Sequence, residues 1–341
     1  MAKDHRNWYH SVMRNSKCAT RGHYMIGAAV LILAWTLASG VNAQPAESQE
    51  AVLVGAGDVA SCKDSHDEAT AALIDAIPGT VFVAGDVAYP GGGSSDIAKC
   101  YGPSWGRHKA RTRPAVGNHE YSVSGAASYF KYFGESAGER GKGYYSYNMG
   151  AWHIVVLNSN CSKVGGCGTF SAQGIWLRKD LEKPEHKTRC TLAIWHHPLF
   201  TSAKGTAVSE DEDEAGDLSD GHRESPEMRD FWQILYEHGA EIVVNGHNHF
   251  YERFAPQTAA QKLDPERGIR EFIVGTGGKN LIIESKKKRD NPFPNVRKNS
   301  EVRNPDTYGV IKFTLKPDSY AWQFVPAEGK TFADSGEAAC H

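Results

Sequence analysis

Neither sign of charge dominates this chain: 38 Lys and Arg face 40 Asp and Glu, leaving a formal net charge of -2 over 341 residues. A dedicated nucleic-acid surface needs a basic excess, so none is expected, and the one cluster Lys286, Lys287, Lys288 and Arg289 reads as a solvated loop. No repeat recurs at a solenoid period, and no linker rich in Pro, Ser or Gly divides the chain. There is no CxxC spacing, which argues against a thiolate metal site. Nor does any apolar run reach the roughly 20 residues that span a bilayer. What is present, 40% hydrophobic and 23% charged residues, suffices for a substantial globular core.

The N-terminus has the pattern of an export signal. Lys3, Arg6, Arg14, Lys17 and Arg21 precede an apolar run from Met25 to Ala38, and Val41-Asn42-Ala43 supplies small residues for cleavage after Ala43. Residues 1–43 are thus expected to be a signal peptide and 44–341 a single domain, secreted or periplasmic, with no stable membrane anchor after cleavage. An uncleaved anchor is the alternative. Cleavage removes Cys18 and leaves six cysteines in a compartment that permits disulfides. Cys161 and Cys167 flank a short glycine-containing loop and are expected to pair locally. Cys62 with Cys100 would then tie neighbouring loops, and Cys190 with Cys340 would pin the C-terminus to an inner strand.

Short β-rich runs recur at Val52 to Gly55, Thr80 to Ala84, Pro114 to Val116, His153 to Leu157, Thr191 to Trp195, Glu241 to Val244, Glu271 to Val274, Gly309 to Leu315 and Ser319 to Phe324. Between them "DEATAALIDAIPG" places Ala69, Leu73, Ile74 and Ile77 on one helical face, and "ESPEMRDFWQILYEHGA" predicts a helix from near Ser225-Pro226 to Gly239. Alternating strands and helices followed by paired late strands predict an α/β protein, a two-sheet β-sandwich flanked by helices. The acidic stretch 201–224 has no period. Asp211, Asp213 and Gly216 suit an EF-hand loop, but Ala215 and His222 fall where oxygen ligands belong. A flap near the site, with His222 its contributor to substrate binding, is the remaining expectation there.

Chemistry-bearing residues cluster at strand ends. "VLVGAGD" ends on Asp58, "VFVAGDVAY" offers Asp86 and Tyr89, "PAVGNHE" offers Asn118, His119 and Glu120, "LAIWHHP" offers His196 and His197, and "VVNGHNH" offers His247 and His249. Taken singly, each has an ordinary explanation: Asp58 as a helix cap, Asn118 as a turn residue, Tyr89 as a buried phenol, His196 as a hydrogen-bonded core histidine. Together they require the same coincidence at every strand end. Ligands in open α/β sheets bind at the carboxyl ends of the strands, so these side chains are expected to converge. Glycine precedes Asp58, Asp86, Asn118 and His247, allowing the sharp exits and close approach that a crowded site needs. Carboxylates, an amide oxygen, imidazoles and a phenolate without thiolate suit iron, zinc or manganese, and so many ligands suit two ions sharing a carboxylate.

These blocks, Gly57-Asp58, Gly85-Asp86 with Tyr89, Gly117-Asn118-His119-Glu120, His196, and Gly246-His247-Asn248-His249 with the tail "HFYER", resemble in order those of the purple acid phosphatases within the calcineurin-like metallophosphoesterases. The resemblance implies a metallophosphoesterase-type four-layer fold. It also implies that Asp58, Asp86, Tyr89 and His249 hold one ion, ferric iron in that family. Asp86 would bridge to a second, divalent ion (zinc, iron or manganese) held by Asn118, His196 and His247. His119 would face the phosphate and protonate the leaving oxygen. Ala60 stands where the family usually has glycine and where most metallophosphoesterases have histidine; alanine likewise cannot coordinate. The expected activity is hydrolysis of small-molecule phosphate monoesters by in-line attack of activated water. A phosphodiesterase or nucleotidase on the same scaffold, and a non-catalytic phosphate-binding protein, are the rivals.

Overall fold

Every apolar run expected to be extended forms a strand. The computed structural model describes residues 50–63, 66–187, 189–203, 222–284 and 291–341. The expected signal segment, the basic cluster and residues 204–221 of the acidic stretch, with its EF-hand-like spacing, lie outside them. The strands are β1 (Ala51–Ala56), β2 (Ala60–Ser61), β3 (Thr80–Ala84), β4 (Ala88–Tyr89), β5 (Thr112–Ala115), β6 (Tyr145–Met149), β7 (Trp152–Val156), β8 (Cys190–Ile194), β9 (Ala240–Asn245), β10 (Tyr251–Phe254), β11 (Arg270–Val274), β12 (Ser300–Asn304), β13 (Gly309–Leu315), β14 (Ser319–Pro326) and β15 (Ser335–Ala339). A 6-stranded sheet runs β15-β14-β13-β1-β3-β5, and a 7-stranded sheet runs β12-β10-β11-β9-β8-β7-β6. β2 and β4 form a small parallel pair over the first sheet's crossover loops.

Alternation of side chains along the second sheet divides the interior into two layers. Ile154, Leu192, Ile194, Ile242, Val244, Phe272 and Val274 point into a core shared with Leu53, Phe82, Ile311 and Phe313 of the first sheet. Their strand neighbours Val155, Ala193, Val243 and Ile273 point the other way, onto Leu177 of helix Ala172–Leu181 and Phe231, Trp232 and Leu235 of helix Arg229–Glu237. The two sheets therefore pack face to face with helices outside, the expected α/β sandwich. Helix His66–Ala76 packs near β13 on the first sheet through most of the expected face, Ile74 buried and Leu73 and Ile77 half-buried against the core, but its first turn is rotated. Asp67, Thr70, Ala71 and Ile74 are buried, whereas Ala69 is exposed. Polar contacts set this rotation: Thr70 Oγ1 donates to the Gly277 carbonyl at 2.5 Å and accepts from Trp105 Nε1 at 3.0 Å.

All three expected disulfides form, Cys62–Cys100, Cys161–Cys167 and Cys190–Cys340. No helix among the described residues is long and apolar enough to cross a membrane. The described residues all fall in one compact unit. Within it β1, β3 and β5 are mutually parallel, as are β7, β8, β9 and β11. That arrangement gathers the exits of β1, β3, β5, β8 and β9 at one rim of the sandwich.

Candidate metal centre

The chain leaves these strands through unusual backbone. Asp58, Asp86 and His247 hold positive φ values of 58°, 51° and 67°, a region that costs a non-glycine residue roughly 1–3 kcal/mol unless its surroundings enforce it. The preceding glycines make room. A Cβ at Gly117 would lie 2.0 Å from Asp86 Oδ1, one at Gly85 2.3 Å from His196 Nδ1, and one at Gly246 2.7 Å from Asp58 Oδ2. The expected close approach is therefore real at all four glycines, least severe at Gly57, where a Cβ would meet the Ala84 carbonyl oxygen and Gly246 Cα at 3.0 Å.

Two side-chain groups share Asp86. In the first, the Tyr89 hydroxyl lies 2.9 Å from Asp58 Oδ1, 3.1 Å from Asp86 Oδ2 and 3.2 Å from His249 Nε2, and His249 Nε2 is 3.4 Å from Asp58 Oδ1. In the second, His196 Nε2 lies 3.2 Å from Asp86 Oδ2 and 3.0 Å from Asn118 Oδ1. His247 joins this side, its ring 5.1 Å from that of His196. His119 donates its backbone N–H to Asp86 Oδ1 at 3.0 Å and brings Nε2 to 3.8 Å from Asp86 Oδ2. His222, the one described residue of the acidic stretch expected to contribute, places its ring 4.8 Å from His249 and 5.5 Å from His247. All the side chains expected at the site are thus neighbours, although they come from strand ends nearly 200 positions apart.

Hydrogen bonding fixes which nitrogen two of the imidazoles, His196 and His249, present. His196 Nδ1 contacts the Ala84 carbonyl at 2.8 Å and His249 Nδ1 the Asn280 carbonyl at 2.9 Å. A carbonyl only accepts, so Nδ1 carries the proton and, in the neutral ring, Nε2 turns a lone pair toward the other oxygens. Lone pairs facing lone pairs are unfavourable without a cation between them, and backbone-oriented imidazoles are the usual second-sphere arrangement around metals. Asp58 Oδ2 is buried with no hydrogen-bond partner among the described residues. Asp58, Asp86 and His196 bring ligand atoms within 4.8 Å of one another. The donor set fits a pair of cations sharing Asp86.

Electrostatics show the same demand for positive charge, which without a cation is met by a proton on His196 Nε2 facing Asp86. Burial would raise the Asp86 carboxyl, but the charges and hydrogen bonds of His196 and His119 hold it well below the usual carboxylate range. Burial would depress His196, yet Asp86 and Asp58 lift it to about 9. An imidazole with so high a proton affinity in a fully buried setting marks a site built to hold positive charge.

Sequence reasoning left some contributors unassigned. Glu120 is fully buried, and its carboxylate accepts from the backbone N–H groups of Asp86, Val87 and Gly117 at 3.1, 2.9 and 2.7 Å, tying two ligand loops together. Burial and the Asp86 charge push it up to about 7. His197 lies behind His247, ring to ring 4.5 Å, with Nδ1 2.7 Å from Ser159 Oγ; burial and the His196 charge lower it to about 3. Lys279, on the loop after β11, was signalled only by the glycines of "GTGGKN" and was missed. Elsewhere His153, Asp180 and His186 form another buried group. Its rings stack 3.6 Å apart, however, and Asp180 already engages His153 Nε2 and Lys183, so it is a structural tie between β7 and helix Ala172–Leu181.

The family model of calcineurin-like phosphoesterases matches residues 52–251. Among curated proteins, purple acid phosphatase 15 of Arabidopsis thaliana is 27% identical over 239 residues, covering 60% of this chain and 41% of that protein. Purple acid phosphatase 23 of the same plant is 26% identical over 240 residues, covering 60% and 48%. The chain thus spans less than half the length of these relatives. In three dimensions it is similar to purple acid phosphatase PPD1 from yellow lupin (Lupinus luteus) seeds, with a TM-score of 0.62 and 18% identity over 86% of this chain and 55% of that one. It is also similar to GAP50, described as the anchor in the inner membrane complex of Plasmodium, with a TM-score of 0.57 and 9% identity over 86% and 89%. At such identities these structures share a fold.

Proposed function

This chain belongs to the calcineurin-like phosphoesterase family, and on that footing we propose that it is a purple acid phosphatase-type hydrolase of small phosphate monoesters acting outside the cytoplasm. The carrying observation is the pair of side-chain groups that meet at Asp86, each completed by an imidazole whose Nδ1 is committed to a backbone carbonyl or by an amide oxygen. Fold alone decides nothing here, since an anchor protein shares it. In this reading residues 1–43 are a signal peptide, residues 44–341 a single catalytic domain, and the three disulfides suit an oxidising compartment.

Asp58, Tyr89, His249 and Asp86 would hold a ferric ion; Asp86, Asn118, His196 and His247 would hold zinc, ferrous iron or manganese. When bound, the two cations supply activated water for in-line attack and offset charge on the phosphoryl oxygens. The chain's own residues then position and protonate. His119 Nδ1 is committed to the Pro90 carbonyl, so its Nε2 is the atom that exchanges a proton. Its side chain is 12% exposed, at the open edge of the cluster, where it can protonate the departing alkoxide. His222, beside His249 and His247, lines the approach for the ester.

The test is hydrolysis by metal-loaded protein of an aryl phosphate, an alkyl phosphate and a bis-aryl diester. The monoester is expected to be the better substrate; a faster diester would instead support the phosphodiesterase reading, and inertness toward all three would end the enzymatic one. His119→Gln is expected to slow the alkyl phosphate by roughly 100-fold and the aryl phosphate much less, because a poor leaving group depends most on protonation.

A further inference from the structure

The loop after β11 lies against one half of the centre. Gly277 N–H donates to the Gly57 carbonyl at 3.0 Å, Lys279 N–H to the Asp58 carbonyl at 2.9 Å, and Ile282 N–H to the His249 carbonyl at 3.0 Å. The Asn280 carbonyl accepts from His249 Nδ1 at 2.9 Å. These bonds fix the backbone of Lys279 against Asp58 and His249, two partners of the Tyr89 hydroxyl. Lys279 as a residue is nearly enclosed, at 7% exposure, and its Nζ lies 4.7 Å from the centroid of the Tyr89 ring.

A lysine is seldom buried so deeply unless something negative faces it. The Tyr89 oxygen already neighbours two buried carboxylates, Asp58 at 2.9 Å and Asp86 at 3.1 Å. A phenolate there adds a third negative charge to the same small volume. An ammonium held over the face of its ring opposes that crowding, since the ring's face is its negative pole and gains charge as the phenolate forms.

We propose that Lys279 is a positioning residue of the tyrosine half of the centre, its ammonium, held over the Tyr89 ring, setting the charge-transfer energy of a tyrosine ligand there. The inference rests on the reading that Tyr89 ligates ferric iron, and it assigns a role to a residue outside the matched family span of 52–251. It has an electronic signature. Visible colour from a ferric phenolate arises when charge leaves the ring for the iron, and a nearby cation makes that departure harder, raising the transition energy.

The full chain, Lys279→Met and Lys279→Arg are to be loaded with iron(III) and zinc(II), their metal content measured and their visible spectra recorded, with melting curves of the zinc-only forms as a folding control. Lys279→Met is expected to bind iron and absorb at longer wavelength, by on the order of 20 nm, and Lys279→Arg to return the maximum to that of the unaltered chain. Should Lys279→Met fail to fold, Lys279→Gln carries the same comparison. An unshifted maximum in the coloured, iron-loaded neutral variant overturns this inference and leaves the Tyr89 assignment standing. An unaltered chain that binds iron without colour removes the phenolate reading, and this inference with it.

Discussion

Asp86 is the residue on which both halves of the site depend, because its Oδ2 lies within 3.2 Å of both the Tyr89 hydroxyl and His196 Nε2. Asp86→Asn keeps the shape and removes the charge, so metal analysis is expected to show loss of both ions. On the proposed assignment Tyr89→Phe would remove one ligand only: colour is expected to vanish while the fold and the second ion remain, and full colour in that variant would refute the assignment. The glycine before Asn118 is equally exacting. Its added methyl in Gly117→Ala would sit 2.0 Å from Asp86 Oδ1 and 2.4 Å from the Asp86 backbone nitrogen, and neither can retreat from a buried loop. A destabilisation of about 1–3 kcal/mol in denaturant unfolding, with reduced metal content, is expected. At this scale the sequence was most informative, since a ligand set needs particular side-chain types and four of the expected ones, Asp58, Asp86, Asn118 and His247, stood behind a glycine. Lys279 was not legible, because its role depends on where a loop outside those blocks comes to rest.

Among the elements, β10 shows how one strand serves two faces. Tyr251 and Arg253 point toward Asp334, with Tyr251 Oη and Arg253 Nε 2.6 and 2.7 Å from Asp334 Oδ2, while Glu252 turns the other way to accept from the Ser202 N–H at 2.9 Å and the Ser300 hydroxyl at 2.5 Å. Alternation thus lets three consecutive residues brace the C-terminal region and the base of the acidic stretch behind the GHxH turn. The strand itself was not predicted from sequence, nor were β6, β12 and β15. β6, β12 and β15 lie at sheet edges, and β10 is only four residues long with Glu252 and Arg253 at its middle, so the hydrophobic signal of each is weak: β15, "SGEAA", alternates exposed and half-buried positions and closes the first sheet. Beyond its antiparallel ladder with β14, it is held by the contacts of Asp334 and by Cys190–Cys340. Cys340→Ser is expected to cost about 2–4 kcal/mol and to open residues 327–341 to limited proteolysis; an unchanged digestion pattern would show that the Asp334 contacts suffice.

For the molecule as a whole, buried acids impose a pH dependence. Glu271 is fully buried, with Oε1 accepting from the Leu199 N–H at 3.2 Å, and burial holds its carboxyl well above the ordinary value of 4.5. A raised folded-state value means that the unfolded chain releases this proton first as pH rises. The group's stabilising contribution is therefore complete below about pH 4.5 and is lost progressively above it. Glu271→Gln retains the accepting oxygen without the proton. Its melting temperature relative to the unaltered chain is expected to climb as the pH is raised from 4.5 toward neutrality, and a constant difference would contradict this.

The amino-acid sequence by itself determined the fold class, the pairing of its six later cysteines and the side chains that meet at the rim. The fold class and the rim side chains follow from apolar period, turn chemistry and ligand type, which act over a few residues, and so does the local Cys161–Cys167 pair; the other two bridges, 38 and 150 positions apart, followed only from pairing the cysteines that remained. Tertiary structure alone decided the rotation of helix His66–Ala76, set by the Thr70 and Trp105 contacts, the commitment of each Nδ1 to a backbone carbonyl, and the seat of Lys279 over Tyr89. Those depend on distances between segments far apart in the chain, which packing of the two sheets fixes and no local pattern encodes.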